Sequence, residues 1–294
     1  MNGIIVVNKE KGMTSHDVVN RIRKIFKTKQ VGHLGTLDPL AEGVLAVCIN
    51  DATKLVQFLS EHDKTYIATI CLGKCTDTYD LEGTVIEQKK VYDINESDID
   101  KVLNSFLGES EQIPPIYSSI KVNGKKLYEY ARNNESVVVE PRKIKIYDIK
   151  RISDLTYNDD CCFFDIEVSV SKGTYIRSLC YDIGKKLEIP SLMYKLIRTK
   201  LGNFGLKNSY TLSEIEIGNY HLYSKLDALE GYTMIEDKEL IVKASSGMKI
   251  SIRYVDELIN DTPEKIVIKD NDRLIAVYEK NNELKCYKAA RVWM

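Results

Sequence analysis

Four consecutive apolar residues, Ile4 to Val7, predict a short buried strand at the start of the chain. Thr14-Ser15-His16-Asp17 then predicts a helix start, because a hydroxyl can cap free amides and an acid in the first turn suits the helix dipole. Val18, Ile22, Ile25 and Phe26 follow at helical spacing and form its inward face. The stretch Val31 to Gly43 breaks the periodicity with Gly32, Gly35, an Asp38-Pro39 pair and Gly43, which marks a loop with tight turns. An apolar run, Val44 to Ile49, predicts the next strand, and Asp51 to Glu61 a helix with Ala52, Leu55, Val56 and Leu59 inward. Lys64 to Leu72 is rich in β-branched residues and reads as a strand. Asp98 to Leu107 reads as an amphipathic helix, ended by Ile113-Pro114-Pro115. Strict alternation at Phe164, Ile166, Val168 and Val170 gives another half-buried strand, and Leu179, Ile183 and Leu187 another helix. From about Tyr232 the runs shorten: Glu239 to Val242, Ile250 to Tyr254, Lys265 to Ile268 and Arg273 to Tyr278 alternate with polar turns. They predict a small all-β module of about 60 residues, marginal alone but stable when docked.

Composition narrows the class without naming a partner. The 294 residues suffice for one large domain and a small one, and 42 basic against 43 acidic side chains leave a formal charge of -1. A nucleic-acid binder would therefore have to show itself locally. The helix of Val18 carries Arg21, Arg23, Lys24, Lys27 and Lys29 on its other face, which reads equally well as a solvated face or a phosphate-facing one. Tyr117 to Arg132 interleaves bases with tyrosines, a mixture that suits RNA because cations meet phosphates and rings stack on unpaired bases. Bases continue at Lys143, Lys145, Lys150 and Arg151, whereas the acidic stretch Asp93 to Glu111 is expected to face away from any RNA. No apolar run approaches the roughly 20 residues of a membrane helix, and the start of the chain lacks signal-peptide features. Seven cysteines without a Cys-x-x-Cys pair fit reduced thiols in a cytoplasmic protein and argue against a metal site. There is no Walker loop and no G-x-G-x-x-G.

Gly32-His33-x-Gly35-Thr36-Leu37-Asp38-Pro39-x-Ala41-x-Gly43 resembles the catalytic loop of the TruB family of pseudouridine synthases. Further matches follow in order: Lys64-x-Tyr66, the segment Gly73 to Gly83, Lys172-Gly173-Thr174-Tyr175-Ile176-Arg177, and Leu196-Ile197-Arg198-Thr199 with Gly202 and Phe204. Tyr117 to Arg132 resembles the lead into that family's RNA-gripping thumb, at about residues 112–142. The C-terminal module resembles a PUA-like RNA-binding domain through Gly247-Met248-Lys249-Ile250. The resemblance implies an α+β fold: a catalytic domain over residues 1–232 with a central mixed, mostly antiparallel sheet, and a small all-β PUA-like domain over residues 233–294. It implies a stand-alone enzyme that needs no guide RNA and converts the T-loop uridine of tRNA, position 55, to pseudouridine; a monomer in the cytoplasm, with no membrane partner, is the accompanying expectation.

That reaction breaks the bond from N1 to the ribose, turns the base and joins C5 to the same sugar carbon. It is redox-neutral and calls for no cofactor. It does call for a carboxylate, and Asp38 is the candidate nucleophile. A carboxylate sealed under a bound base tends to protonate unless a cation is near, and the resemblance assigns that cation to Arg177. Attack at ribose C1′, attack at base C6, and a glycal route all remain open from the residues; the resemblance implies the glycal. Extruding a base costs a few kcal/mol, and stacking on an aromatic returns ~1–3 kcal/mol. By resemblance Tyr66 offers that face, Leu196 packs opposite, His33 holds the flipped nucleotide or fills its place, Lys64 contacts phosphate, and Tyr175 belongs to the substrate-binding set. A tRNA-binding or tRNA-folding protein with incidental or no catalysis is the alternative.

Overall fold

The computed structural model describes residues 1–133 and 135–293. Its centre is a mixed sheet whose strands lie in the order Gly3–Lys9, Glu42–Ile49, Ser191–Leu201, Lys64–Leu72, Cys161–Val170, Arg142–Arg151 and Gly108–Gln112. Every neighbouring pair on that path is antiparallel except Glu42–Ile49 with Ser191–Leu201, which run parallel through Ile197 opposite Glu42 and Arg198 opposite Gly43. The mixed, mostly antiparallel sheet is thus as expected.

Helices Ser15–Ile25, Glu96–Asn104 and Ile176–Lys186 pack with this sheet through Val18, Ile22, Ile99, Leu103, Leu179 and Ile183. Thr14 caps the first of them. Its hydroxyl accepts from the Asp17 amide at 3.1 Å, and the Asp17 carboxylate accepts from the Thr14 amide at 2.9 Å. These reciprocal bonds satisfy two donors that a bare helix start would leave free.

A second sheet has the order Thr233–Ile235, Lys265–Asp270, Arg273–Asn281, Cys286–Val292, Ile250–Ser251. It shares a core with the first unit, where Val267, Leu274, Val277 and Trp293 meet Leu55, Phe58 and Leu59. Trp293 Nε1 also donates to the Asp51 carbonyl at 3.3 Å.

Some local readings change. The C-terminal module has its β-sheet, but it is not all-β, since it also carries helices Lys238–Ser245 and Ile252–Ile259. Glu239 to Val242 belongs to the first helix because Asp237 caps it, accepting from the Leu240 amide at 2.9 Å, and because Leu240 and Ala244 bury one face four residues apart. Asp51 to Glu61 is a 3₁₀ turn, Asn50–Leu55, followed by one short helix, Val56–Leu59. Glu96–Asn104 ends well before the prolines, and Gly108–Gln112 forms an edge strand beside Arg142–Arg151. The acidic stretch therefore lies against bases: Glu111 opposes Lys143, and Glu109 lies 3.7 Å from Lys145. Arg151 pairs with Glu96 at 2.6 Å and Asp100 at 3.1 Å, and Lys150 with Glu167 at 2.9 Å.

Candidate active site

The 31–43 loop is held from below by buried cations and a hydroxyl. Lys9, at the end of the first strand, is fully buried, and its Nζ donates to the carbonyls of Ala41 (2.6 Å), Glu10 (3.0 Å) and Pro39 (3.2 Å). Burial lowers its pKa from the ordinary lysine value, with Glu42 and Asp38 opposing that shift. The Ser15 hydroxyl both accepts from the Leu37 amide (2.9 Å) and reaches its carbonyl (3.1 Å). Arg198, also fully buried, donates to the carbonyls of Val44 (2.7 Å) and Gly35 (3.1 Å). Gly43 has φ +98°, and a Cβ there would lie 2.3 Å from the Arg198 carbonyl oxygen. Only glycine lets the loop enter the parallel strand pair this closely.

Asp38 points out of this anchored loop toward Arg177 on helix Ile176–Lys186, with Nε and Oδ2 3.1 Å apart. The guanidinium is buried and makes three further contacts. It lies 3.4 Å from Asp80 Oδ2 and donates to the carbonyls of Thr78 (3.2 Å) and Tyr117 (3.0 Å). Asp80 is nearly sealed, and its Oδ1 accepts from the Thr78 hydroxyl (2.6 Å) and the Glu82 amide (2.9 Å). Arg177 is thus fixed by partners other than Asp38, and the 39% exposure of Asp38 leaves its carboxylate open to a ligand. The helix start is fixed too, since Gln112 accepts from the Tyr175 amide at 2.8 Å and donates to its carbonyl at 3.1 Å.

A cleft of about 470 Å³ opens over the pair. Six of the seven residues singled out in the sequence line it: Asp38, Lys64, Tyr66, Tyr175, Arg177 and Leu196. Strand register explains the convergence. Tyr66 opposes Arg198 and Ala68 opposes Leu196, so alternation sets Tyr66 and Leu196 diagonally on one face of the sheet. Lys64 lies at the same end, where its Nζ donates to the His62 carbonyl at 2.6 Å. Burial first, and then the neighbouring Arg198 charge, lower its pKa to about 8. Burial likewise raises the Tyr175 phenol above its ordinary value.

His33 does not line the cleft. It sits on the short strand Val31–His33 opposite Val47, with Nδ1 buried and without a partner among the described residues. Burial lowers its pKa.

The roof of the cleft comes from the predicted thumb, where Tyr117, Ser118, Ser119 and Tyr128 add to the lining. This segment holds a two-strand ribbon, Lys121–Val122 with Lys125–Lys126, and the short helix Leu127–Arg132; Asn134 lies outside the described residues. Its bases and tyrosines stack on each other, with Lys125 4.7 Å from the Tyr130 ring centroid and Lys126 and Arg132 each 5.3 Å from that of Tyr128.

Sequence reasoning missed Lys9, Ser15, Asp80, Gln112 and Ser118, and quoted Arg198 without giving it a task. Lysine and arginine ordinarily read as surface residues. The available signal was position: Lys9 ends an apolar strand, and Arg198 sits inside a recognised motif.

The family profile described as TruB family pseudouridylate synthase (N terminal domain) matches residues 23–176. A Staphylococcus saprophyticus protein named tRNA pseudouridine synthase B is 47% identical, the match covering 96% of this chain and 95% of that protein. The Staphylococcus aureus protein of the same name is also 47% identical, with 97% of each chain covered. Among solved structures, a Cbf5-Nop10-Gar1 complex contains a chain with a TM-score of 0.72 and 25% identity, the match covering 99% of this chain and 85% of that one. An H/ACA RNP bound to a substrate RNA containing 2′-deoxyuridine contains another with the same coverage, a TM-score of 0.71 and 23% identity, which is a likeness of fold. With a profile matching half its length and near-full-length relatives at this identity, the chain belongs to the TruB family of pseudouridine synthases and is an isomerase.

Proposed function

We propose that this enzyme isomerises the T-loop uridine of tRNA, position 55, with Asp38 as the nucleophile. The observation that carries the assignment is the Asp38 carboxylate, partly open to a 470 Å³ cleft and 3.1 Å from a guanidinium that other groups hold in place. A cation fixed in this way compensates the negative charge of an attacking carboxylate when a base covers it. The extruded uracil lies between Tyr66 and Leu196, whose shared sheet face gives it an aromatic floor and an aliphatic edge. Lys64 takes a backbone phosphate, and Tyr175 flanks the nucleotide beside Arg177. His33, set back from the cleft, contacts the RNA behind the extruded nucleotide and fills space that it leaves. In the reaction the N1–C1′ bond breaks, C5 bonds to C1′, the C5 hydrogen leaves as a proton and N1 takes one up, so that the product is an isomer of the substrate.

The tRNA substrate is supported by the names of relatives 47% identical over nearly the whole chain. The segment at about 112–142 acts as a thumb on the RNA, and its tyrosines over the cleft support that role. Residues 233–294 serve as a PUA-like RNA-binding domain appended to a catalytic domain of residues 1–232. The enzyme works alone, as a monomer in the cytoplasm and without guide RNA. All seven cysteines are free and buried, in keeping with a reducing compartment.

Tritium release from a T-arm stem-loop labelled at uridine C5 tests the proposal, because C5 loses its hydrogen only on becoming the glycosidic carbon. Release by the native protein and none by Asp38→Ala is the expected result. Equal release by both removes Asp38 from its role, and binding without release by either favours an RNA-folding protein.

A further inference from the structure

Among the buried side-chain atoms, one hydroxyl in the cleft has no bond. Ser118 is 6% exposed and lines the same cavity as Asp38, Tyr66 and Arg177, yet its Oγ finds no hydrogen-bond partner among the described residues. The Tyr175 phenol is a neighbour but does not complete a bond. Its own backbone is well fixed: the Ser118 carbonyl accepts from the Tyr128 amide at 3.1 Å, and the adjacent Tyr117 carbonyl accepts from Arg177 at 3.0 Å. The hydroxyl is therefore held at the junction of the thumb and the Arg177 helix with its hydrogen-bonding capacity unused. A buried polar group left this way is unfavourable in the free protein, and alanine would fill the position at no such cost.

We infer that Ser118 is a substrate-contacting residue whose hydroxyl hydrogen-bonds the uracil extruded into the cleft. A hydroxyl both donates and accepts, which suits this reaction in particular. Uracil turning about its C6–N3 axis exchanges N1 with C5 and O2 with O4. A donor aimed at a carbonyl oxygen therefore meets a carbonyl oxygen before the turn and after it. The contact follows the base through cleavage and reattachment without rearrangement of the protein.

The inference rests on the family's reaction rather than on the T-loop assignment. The test therefore uses a full-length unmodified tRNA transcript labelled at C5 of every uridine, with the T-arm stem-loop in parallel. Turnover of the transcript but not of the stem-loop would count against the T-loop reading alone. Ser118→Ala and the near-isosteric Ser118→Cys are compared with the native protein for kcat, RNA affinity and thermal midpoint. Ser118→Ala should lower kcat about tenfold, the value of one hydrogen bond. RNA affinity should stay within about twofold, since groove and phosphate contacts dominate it. The thermal midpoint should be equal or higher, because no bond is lost in the free protein. Ser118→Cys, a weak donor, should fall between. Unchanged kcat in both variants overturns the inference, and so does a lowered midpoint that accompanies the lost activity, because it would make Ser118 a structural residue.

Discussion

Replacing Arg177 with methionine removes the guanidinium from between two carboxylates while keeping much of the apolar stem. The two acids lose unequal amounts. Asp38 is 39% exposed, so solvent screens its pair, which contributes at most about 1 kcal/mol to stability. Asp80 is 7% exposed, and without the cation its side chain keeps, among the described residues, only the Thr78 hydroxyl and the Glu82 amide as partners. An uncompensated buried charge costs about 3–5 kcal/mol, and the carbonyls of Thr78 and Tyr117 lose their donor as well. At roughly 2–4 °C per kcal/mol for a domain of this size, the unfolding midpoint should drop by about 6–20 °C. The informative control is Arg177→Met combined with Asp80→Asn. An asparagine keeps an oxygen for Thr78 and Glu82, and its neutral amide replaces the oxygen that faced the guanidinium. The double variant should regain most of the lost stability. Turnover should stay impaired in it, because Asp38 still lacks its cation. Circular dichroism melts and tritium release on the same preparations read both quantities. A single-variant drop under about 1 kcal/mol, or no recovery in the double variant, would refute the view that Asp80 is the main stability partner of Arg177.

Three other outcomes are expected. Asp38→Ala should bring tritium release to background while filter binding of tRNA stays near native; substantial residual turnover would contradict the nucleophile assignment. The native kcat/KM should fall as pH rises through about 8, where free Lys64 loses its charge, and Lys64→Met should remove that limb of the profile. Unfolding is not the cause of such a fall: with the folded pKa below the ordinary 10.5, the unfolded chain binds more protons between about 8 and 10.5, so this group makes stability rise across that window. Gly43→Ala should lower both the urea midpoint and turnover, since its Cβ would meet the Arg198 carbonyl at 2.3 Å in a φ of +98°; a native-like midpoint would mean that the two strands do not approach as closely as described.

The elements that build the cleft were legible because each follows a simple period. Val18 and Ile22 show the helical one, Phe164 to Val170 the alternating one, and Val44 to Ile49 is a continuous run that the sheet buries completely. Gly108–Gln112 was not legible. Gly-Glu-Ser-Glu-Gln has no apolar face, and it becomes a strand because Lys143 and Lys145 oppose its acids across the ladder. The bases of Arg142–Arg151 lie on a strand as read, and the ion pairs of Lys145, Lys150 and Arg151 match most of their charge within the chain. In the C-terminal module the windows were too short: Leu240 and Ala244 define a helical face only when read four residues apart. Lys9 was passed over and Arg198 left without a task because their positions, at the end of an apolar strand and inside a motif, do not by themselves show that a cation will be buried. Their burial depends on carbonyls that the 31–43 loop presents only after it has folded.

That dependence also explains how one loop can hold a carboxylate in place. A Gly- and Pro-rich segment turns its carbonyls out of any ladder, and buried carbonyls need donors. Lys9 takes three of them, two in the loop, and Arg198 takes one in the loop and one in the strand that follows. Each ammonium or guanidinium would be costly to bury alone, so cations and carbonyls hold one another in place. The Ser15 hydroxyl fixes both polar groups of Leu37, immediately before Asp38. With the surrounding backbone satisfied from beneath, the Asp38 carboxylate keeps Arg177 as its ion-pair partner and still has an open face toward the cleft. Catalytic groups act best when their supporting dipoles are set before the substrate arrives, and in the proposed role of Asp38 that support comes from the Lys9, Ser15 and Arg198 side chains packed against the loop.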